Sequence, residues 1–404
     1  MLNDSFSQKL RRQLNLPLQQ KNFFFKLLLP ILFLISFFIF LEAKRRRKKN
    51  YRKKTSVLNN EIDIKIICIG NILIGGTGKS PIVQEIAKLF LNNNYVVAIA
   101  SRGIGSNIKS VNVDSKQQKF KDFLSDENRE HFEKLMLHKN INKEFYILQN
   151  PNRAESLKYF SQQKLKESNS NKKYVFLLDD GLQHFQCPRD INICVWDPKL
   201  LLQSPLYVLP IGPYREGFGK NDFQNLLTNF DFRFWSRTSY QNLKNYSKTI
   251  KNCIKIFNLK ENIQDIIVCS ETIFYEISPG NSLKEIDSKA ISILSNSYNN
   301  ISVVTGIANP DRFLLDLKQF FPQKNFKHLS LGDHGNLSKN ALDFINNSEF
   351  LIFTLKDYYR WCQHLDFAFA IKLKKTILCS IDVSFYNLNL EKEDFFTKLV
   401  EFKR

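Results

Sequence analysis

The chain has 404 residues, 43% of them hydrophobic, and a formal charge of +20; that length can bury two cores of ordinary size. Residues 1–60 hold 14 Lys/Arg against 2 Asp/Glu, so +12 of the excess (14 − 2) sits in a small part of the chain. The rest carries no zinc spacing, RNA-binding signature or basic–aromatic repeat, which argues against a nucleic-acid partner.

In chain order, the first predicted element is also the most apolar. Phe23 to Leu41 is interrupted only by Lys26, Pro30 and Ser36. As a helix it extends roughly 28 Å, close to the hydrocarbon thickness of a bilayer. Lys44-Arg45-Arg46-Arg47-Lys48-Lys49 and Arg52-Lys53-Lys54 follow directly. Such a block stays on the cytoplasmic side and holds anionic lipid headgroups. The long preceding region and the lack of a small-residue cleavage pattern speak against a signal peptide. The expectation is a membrane anchor and basic juxtamembrane segment over residues 1–55, crossing the bilayer or lying shallowly in it.

Ile64 to Ile69 predicts a buried strand, and Ile82, Val83, Ile86, Ala87 and Leu89 mark a helix. Between them runs Gly70-Asn71-Ile72-Leu73-Ile74-Gly75-Gly76-Thr77-Gly78-Lys79-Ser80-Pro81. Backbone N–H groups of such a glycine-rich loop face phosphate oxygens, and glycines permit the close approach. A Lys there supplies charge to the β/γ-phosphates, and the Ser hydroxyl is a Mg2+ ligand. The loop predicts ATP or GTP binding through Gly75, Gly76, Thr77, Gly78, Lys79 and Ser80. It is a variant: Leu73 replaces the first Gly of the general pattern, and Ile74 the signature Lys of partitioning-type ATPases.

Strands follow at 95–100, 146–148, 174–178 and 191–196, with helical stretches around 120–138 and at 153–162. The alternation predicts an α/β fold, a P-loop kinase-like parallel sheet flanked by helices. Ligands of such sheets bind at the carboxyl ends of strands. After Leu209-Pro210-Ile211-Gly212-Pro213-Tyr214-Arg215-Glu216 the chain turns rich in Asn, Lys and Ser. Runs at 301–305, 350–354 and 376–380 then predict a second α/β set. The expected division is a nucleotide-binding domain over 56–225 and a smaller domain over 226–404 that closes over the active site. Seven cysteines without metal spacing read as buried hydrophobes in a reducing compartment.

Asp179-Asp180 at a strand end is an arrangement that holds Mg2+ or its waters beside a P-loop. His184, four residues past Asp180, is close enough to face the same cleft. Asp126-Glu127, Asp333-His334 and Lys356-Asp357 are left undecided by local physics, as a solvated face, a turn and a helix cap.

Taken in order, the apolar segment, the basic block, the P-loop variant, Ser101-Arg102-Gly103-Ile104-Gly105 and Asp179-Asp180-Gly181-Leu182-Gln183-His184 form a recognisable set. Leu209 to Glu216, Gly306-Ile307 with Pro310, Arg312 and Phe313, then Asp333-His334 and Lys356-Asp357 complete it. The set resembles the tetraacyldisaccharide 4'-kinase family of lipid A biosynthesis. The resemblance implies a kinase at the cytoplasmic face of the bacterial inner membrane. It would move the γ-phosphate of ATP, with Mg2+, to the 4'-hydroxyl of a tetraacylated glucosamine disaccharide 1-phosphate, with no obligate protein partner. Carried over by residue, Lys79 and Ser80 serve ATP and Mg2+, Asp179 and Asp180 the metal, and Asp180 and His184 catalysis. Asp126 becomes the base for the sugar hydroxyl, Glu127, Gln183, Arg102 and Arg215 support the site, and His334 lies near the nucleotide.

Departures from the family pattern are Ser125 and Asn128 beside Asp126, Ile104 for Tyr, Leu200 to Ser204 before the Leu-Pro motif, and Leu355 for a Glu. They leave the phosphate machinery whole and alter lipid-facing parts. A membrane-tethered switch ATPase and a basic adaptor with a silent nucleotide site are the competing readings. Ile74 counts against the first, and intact Lys79, Ser80, Asp179 and Asp180 against the second.

Overall fold

Apolar runs set between glycine, proline and asparagine punctuation become strands, and the stretches with helical spacing pack on both faces of the sheet they form. The computed structural model describes residues 13–51, 63–74, 77–104, 106, 108–116, 118–138, 144–166, 172–184, 186–259, 265–278, 283–307, 309–332 and 335–402. Gly75, Gly76, Gly105, Asp333, His334 and the basic residues at 52–54 lie outside them.

Helix α1 (Phe23–Tyr51) precedes β1 (Ile64–Gly70), α2 (Lys79–Asn92), β2 (Tyr95–Ser101), β3 (Val111–Asp114), α3 (Asp126–Leu137), β4 (Phe145–Gln149), α4 (Arg153–Lys166) and β5 (Lys173–Asp179). Next come β6 (Ile191–Trp196), α5 (Pro198–Gln203), α6 (Gly219–Thr228), β7 (Phe232–Thr238), α7 (Leu243–Ile256), β8 (Asp265–Ile277), β9 (Leu283–Ile286) and α8 (Ser288–Ser295). The chain finishes with β10 (Asn300–Thr305), α9 (Pro310–Phe320), β11 (Asn325–Ser330), α10 (Lys339–Asn346), β12 (Phe350–Thr354), α11 (Leu355–Trp361), α12 (Leu365–Lys372), β13 (Lys375–Tyr386) and α13 (Phe395–Glu401).

The strands form one sheet in the order β11-β10-β12-β13-β8-β7-β6-β1-β5-β2-β4-β3, with β9 beside β8. The parallel sheet expected from the sequence holds for two sets, β4-β2-β5-β1-β6-β7-β8 and β13-β12-β10-β11. The sheet as a whole is mixed, because β3 on β4, β9 on β8 and β8 on β13 pair antiparallel. Residue 225, the expected boundary, falls in α6, and β7 and β8 beyond it extend the first set.

The long β8–β13 ribbon decides how the sets face each other. The end of β7, Thr238, pairs with Cys269 of β8. The end of β12, Thr354, pairs with Cys379, which pairs with Phe274 of the same β8. Because β12 runs against β8, the carboxyl ends of the two sets point toward one another across a short stretch of ribbon. Ligand-binding ends of parallel sheets therefore meet at one cleft. Buried apolar residues cover both faces of each set, with Ile67, Phe90 and Phe234 on one face of the first and Cys68, Phe176 and Trp235 on the other.

Helix α1 carries Pro30 in its interior and exposes Phe23, Phe24 and Leu27. Over Phe23–Arg47 it is long and apolar enough to cross a membrane. Ser36 of this helix is deeply buried, and its Oγ donates to Val208 O at 2.8 Å.

Candidate active site

The loop after β1 ends at Gly78, which sits at φ +79 and caps α2. A side chain is strained in that left-handed region, so glycine fits the turn. Thr77 is buried, its hydroxyl accepts from Asn71 Nδ2 at 2.8 Å, and its carbonyl accepts from Ser236 Oγ at 2.9 Å. Lys79 opens the helix and donates from Nζ to Asn71 Oδ1 at 3.1 Å. Ser80 follows in the first turn, where the helix N-terminus favours an anion. Asn71, which clamps both Thr77 and Lys79, was visible in the sequence only as part of the motif.

β5 delivers Asp179 and Asp180 beside this loop, as expected from the sequence. Asp180 adopts φ +49, a conformation that Asp tolerates better than most side chains. Its Oδ1 lies 3.6 Å from Lys79 Nζ, and Arg215 Nη1 donates to both of its oxygens at 3.0 and 3.1 Å. Burial works against ionisation of Asp180, but Lys79 and Arg215 outweigh it and hold the carboxyl below its ordinary range. Gln183 joins the group, accepting from Arg215 Nη1 at 3.1 Å.

Asp179 turns the other way. Its Oδ2 accepts from Nε2 of His131 at 3.0 Å, and His131 Nδ1 in turn accepts from Gln84 Nε2 at 3.1 Å. An ionised carboxylate only accepts, so the proton belongs on Nε2. His131 is fully buried on α3, which Asp126 begins. No sequence motif singled it out; only the packing of α3 on the sheet brings it to β5.

His184 lies near Asp180, its carbonyl accepting from Arg189 Nη2 at 2.6 Å. Burial, together with the charges of Arg153, Arg189 and Arg102, lowers its pKa to about 4. The imidazole is therefore neutral at pH 7, and its buried Nε2 has no partner among the described residues. Arg153, another residue the motifs missed, donates from Nη2 to Asp180 O at 3.1 Å while its buried Nε stays unpartnered. Two orphaned buried polar atoms thus sit close to the charges of Arg102, Arg153 and Arg189, surroundings that suit an oxyanion. Arg102 is exposed just before Gly103, whose φ is +68 and whose missing Cβ leaves room for Gln149.

Gln149 holds the two residues that flank Asp126 and Glu127. Its Oε1 accepts from Ser125 N at 2.8 Å and from Asn128 Nδ2 at 2.9 Å, while Ser101 Oγ donates to Asn128 Oδ1 at 2.6 Å. Ser125 caps α3. Asp126 and Glu127 then project at the second strand set. Arg360 Nε donates to Asp126 Oδ2 at 3.0 Å and Lys356 Nζ to Glu127 Oε1 at 2.8 Å. Burial alone would lower the Lys356 pKa, but Glu127 and Asp126 raise it above the ordinary lysine value.

The second-set cations are themselves anchored. Thr354 caps α11 and donates to Asp357 Oδ2 at 2.7 Å, and Gly306 N donates to the same oxygen at 3.0 Å. Asp357 Oδ1 accepts from Arg360 Nη1 at 2.9 Å, and Gly306 O accepts from Nη1 at 3.0 Å. Leu355, where the family pattern has a carboxylate, is buried in apolar surroundings. Asp126 stands at the start of α3 and Asp180 directly after the end of β5, each held by cations, Arg360 for the first and Lys79 with Arg215 for the second. His334, Gly75 and Gly76 fall outside the described residues.

The sequence matches the profile of the tetraacyldisaccharide-1-P 4'-kinase family, LpxK, over residues 27–400. Similar proteins include a tetraacyldisaccharide 4'-kinase of Francisella philomiragia, 26% identical over 313 residues that cover 76% of this chain and 84% of that one. Another, from Legionella pneumophila, is 27% identical over 283 residues, 70% of this chain and 71% of that one. In fold the chain resembles a crystal structure of LpxK from Aquifex aeolicus in complex with ATP. The TM-score is 0.60 at 17% identity, covering 93% of this chain and 98% of that one.

Proposed function

The chain belongs to the tetraacyldisaccharide-1-P 4'-kinase family, and on that premise we propose that it transfers the γ-phosphate of ATP to the 4'-hydroxyl of a tetraacylated glucosamine disaccharide 1-phosphate. The observation that carries this reading is the position of Lys79 Nζ, 3.1 Å from Asn71 Oδ1 and 3.6 Å from Asp180 Oδ1 at the start of α2. A cation there meets the phosphates, in the cleft that Asp126 enters from α3.

Phosphoryl transfer needs alignment and charge neutralisation more than covalent help. Lys79 and the N-terminal N–H groups of α2 hold the phosphates and stabilise charge on the transferring group. Asp126 accepts the hydroxyl proton when the sugar enters between the two strand sets, giving up part of its contact with Arg360. Glu127, paired with Lys356, keeps that end of α3 aimed into the cleft. Arg102, Arg153 and neutral His184 offer donors to the anionic substrate. The two sets act as a nucleotide-binding unit and a smaller closing unit, the hinge being the β8–β13 ribbon.

Among the described residues no three His, Cys, Asp or Glu side chains form a metal cage. Mg2+ suits such a site, because it is held by one or two carboxylates together with substrate phosphates and water. Ser80 and Asp180 are the hard oxygen donors that would hold it, Asp179, turned toward His131, would support them from behind, and when bound the ion supplies charge neutralisation to the phosphates.

Helix α1 lies in the cytoplasmic interface of the inner membrane rather than across it. A spanning helix would place its middle in hydrocarbon, yet Ser36 and Phe37, mid-helix, touch the folded body. Its basic end attracts anionic lipids and the phosphorylated substrate alike.

The test is incubation of detergent-solubilised protein with Mg2+, γ-labelled ATP and the disaccharide 1-phosphate, beside Lys79→Ala and Asp126→Ala. Label in the lipid that either change removes supports the reading. Hydrolysis that needs Lys79 without labelled lipid would replace it with a switch ATPase or another acceptor.

A further inference from the structure

Segment 205–218 is bound on one side to α1 and on the other to the phosphate loop. Toward α1, Val208 accepts from Ser36, and the ring of Phe218 lies 5.2, 5.7 and 5.4 Å from those of Phe33, Phe37 and Phe40. At the basic end of the helix, Arg47 forms an ion pair with Glu216, which is only 6% exposed. Toward the phosphate loop, Ile74 N donates to Pro213 O at 2.8 Å and Arg215 N to Ile72 O at 2.6 Å.

Side chains continue the connection. Gln183 Nε2 donates to Glu216 Oε1 at 3.3 Å, and its Oε1 accepts from Arg215 Nη1 at 3.1 Å. Arg215 holds Asp180, which faces Lys79. The line Arg47–Glu216–Gln183–Arg215–Asp180–Lys79 therefore runs without a gap from the lipid-facing helix to the phosphate-binding lysine.

We propose that Arg47 is a positioning residue for the phosphate site, coupling the seating of α1 at a lipid surface to the placement of Arg215 on Asp180. The inference rests on the kinase reading above. Its physical basis is competition for cations. A buried carboxylate that loses its partner is costly and recruits another. For Glu216 the substitute at hand is Arg215, next to it in the chain and sharing Gln183 with it, and each shift of Arg215 toward Glu216 withdraws it from Asp180. Arg45 and Arg46 differ, since they pair with Glu42 on the exposed face of α1. Loss of charge at Arg46 thins the basic block equally but leaves the line whole.

The experiment compares full-length wild type, Arg47→Ala, Arg47→Lys and Arg46→Ala in neutral detergent micelles and in vesicles with anionic lipid. It reads kcat, KM for the lipid acceptor, thermal stability and affinity for a fluorescent ATP analogue. Arg47→Ala is expected to lower kcat about tenfold beyond Arg46→Ala, in micelles as in vesicles, with little change in acceptor KM. Arg47→Lys recovers part of that loss, and pairing Arg47→Glu with Glu216→Arg recovers activity over either single change. Equal effects of Arg47→Ala and Arg46→Ala, or a change confined to acceptor KM, would overturn the inference and make Arg47 a headgroup contact. Absence of labelled lipid from wild type would instead refute the kinase reading. The ATP-analogue affinity then still decides, since identical values for wild type and Arg47→Ala would refute the coupling on its own.

Discussion

The two strand sets present opposite kinds of polar chemistry to the cleft they share. In the first, Asp180 sits in a left-handed conformation under two cations, while buried Arg153 Nε and His184 Nε2 lack partners among the described residues. In the second, Thr354, Asp357, Arg360 and Gly306 bond to one another around a buried carboxylate. Unsatisfied polar atoms and backbone strain mark a place that awaits a ligand, whereas a closed network fixes geometry. On the proposed function, the first set would be the reacting side and the second the clamp that aims Asp126.

The contrast can be broken most sharply at Asp126 itself. Asp126→Asn is expected to lower kcat by about 10³-fold if it is the general base, with folding retained, as read by steady-state kinetics and thermal melting. A loss of stability without selective loss of kcat would make Asp126 part of the clamp. At the phosphate loop of the same set, Lys79→Ala should cost roughly 10²–10³-fold in kcat through lost phosphate stabilisation, again with little effect on melting.

Asp357→Ala should do the reverse. It strips the buried anchor from Arg360 and the Gly306 N–H, so a loss of about 3 kcal/mol in chemical denaturation is expected, and activity follows stability. A variant as stable as wild type would show that the clamp is not a structural unit.

His184 gives a pH test of the first set. Its folded pKa is depressed, so its contribution to stability is complete above the unfolded value of 6.5 and declines as pH falls toward about 4. After discounting for solvent screening, the decline attributable to this group is about 1 kcal/mol. Denaturation midpoints of wild type should fall more steeply across that window than those of His184→Gln. Parallel profiles would place the imidazole in ordinary solvent.

The smallest effect concerns the cap of α3. Ser125→Ala removes the acceptor for Asn128 N and should cost about 1 kcal/mol. If the cap merely stabilises the helix, kcat is unchanged; a parallel fall in kcat would mean that cap geometry aims Asp126.

Much of this was legible in the sequence because it is local. A strand, a glycine-bearing turn and Lys79-Ser80 at a helix start follow from residues close in the chain, and so does a strand ending in Asp179-Asp180. The long apolar helix was equally legible, since Phe, Leu and Ile fill nearly every face of the run before the basic block. Tertiary structure alone decided the rest. His131 reaches Asp179 because α3 packs across the sheet, a separation of 48 residues. Arg360 reaches Asp126 over 234 residues because β13 pairs antiparallel with β8 and turns the second set to face the first. Local propensity fixes the conformation of a segment, but pairings this distant are set by the direction and register of one strand against another, and no short pattern of residues encodes those.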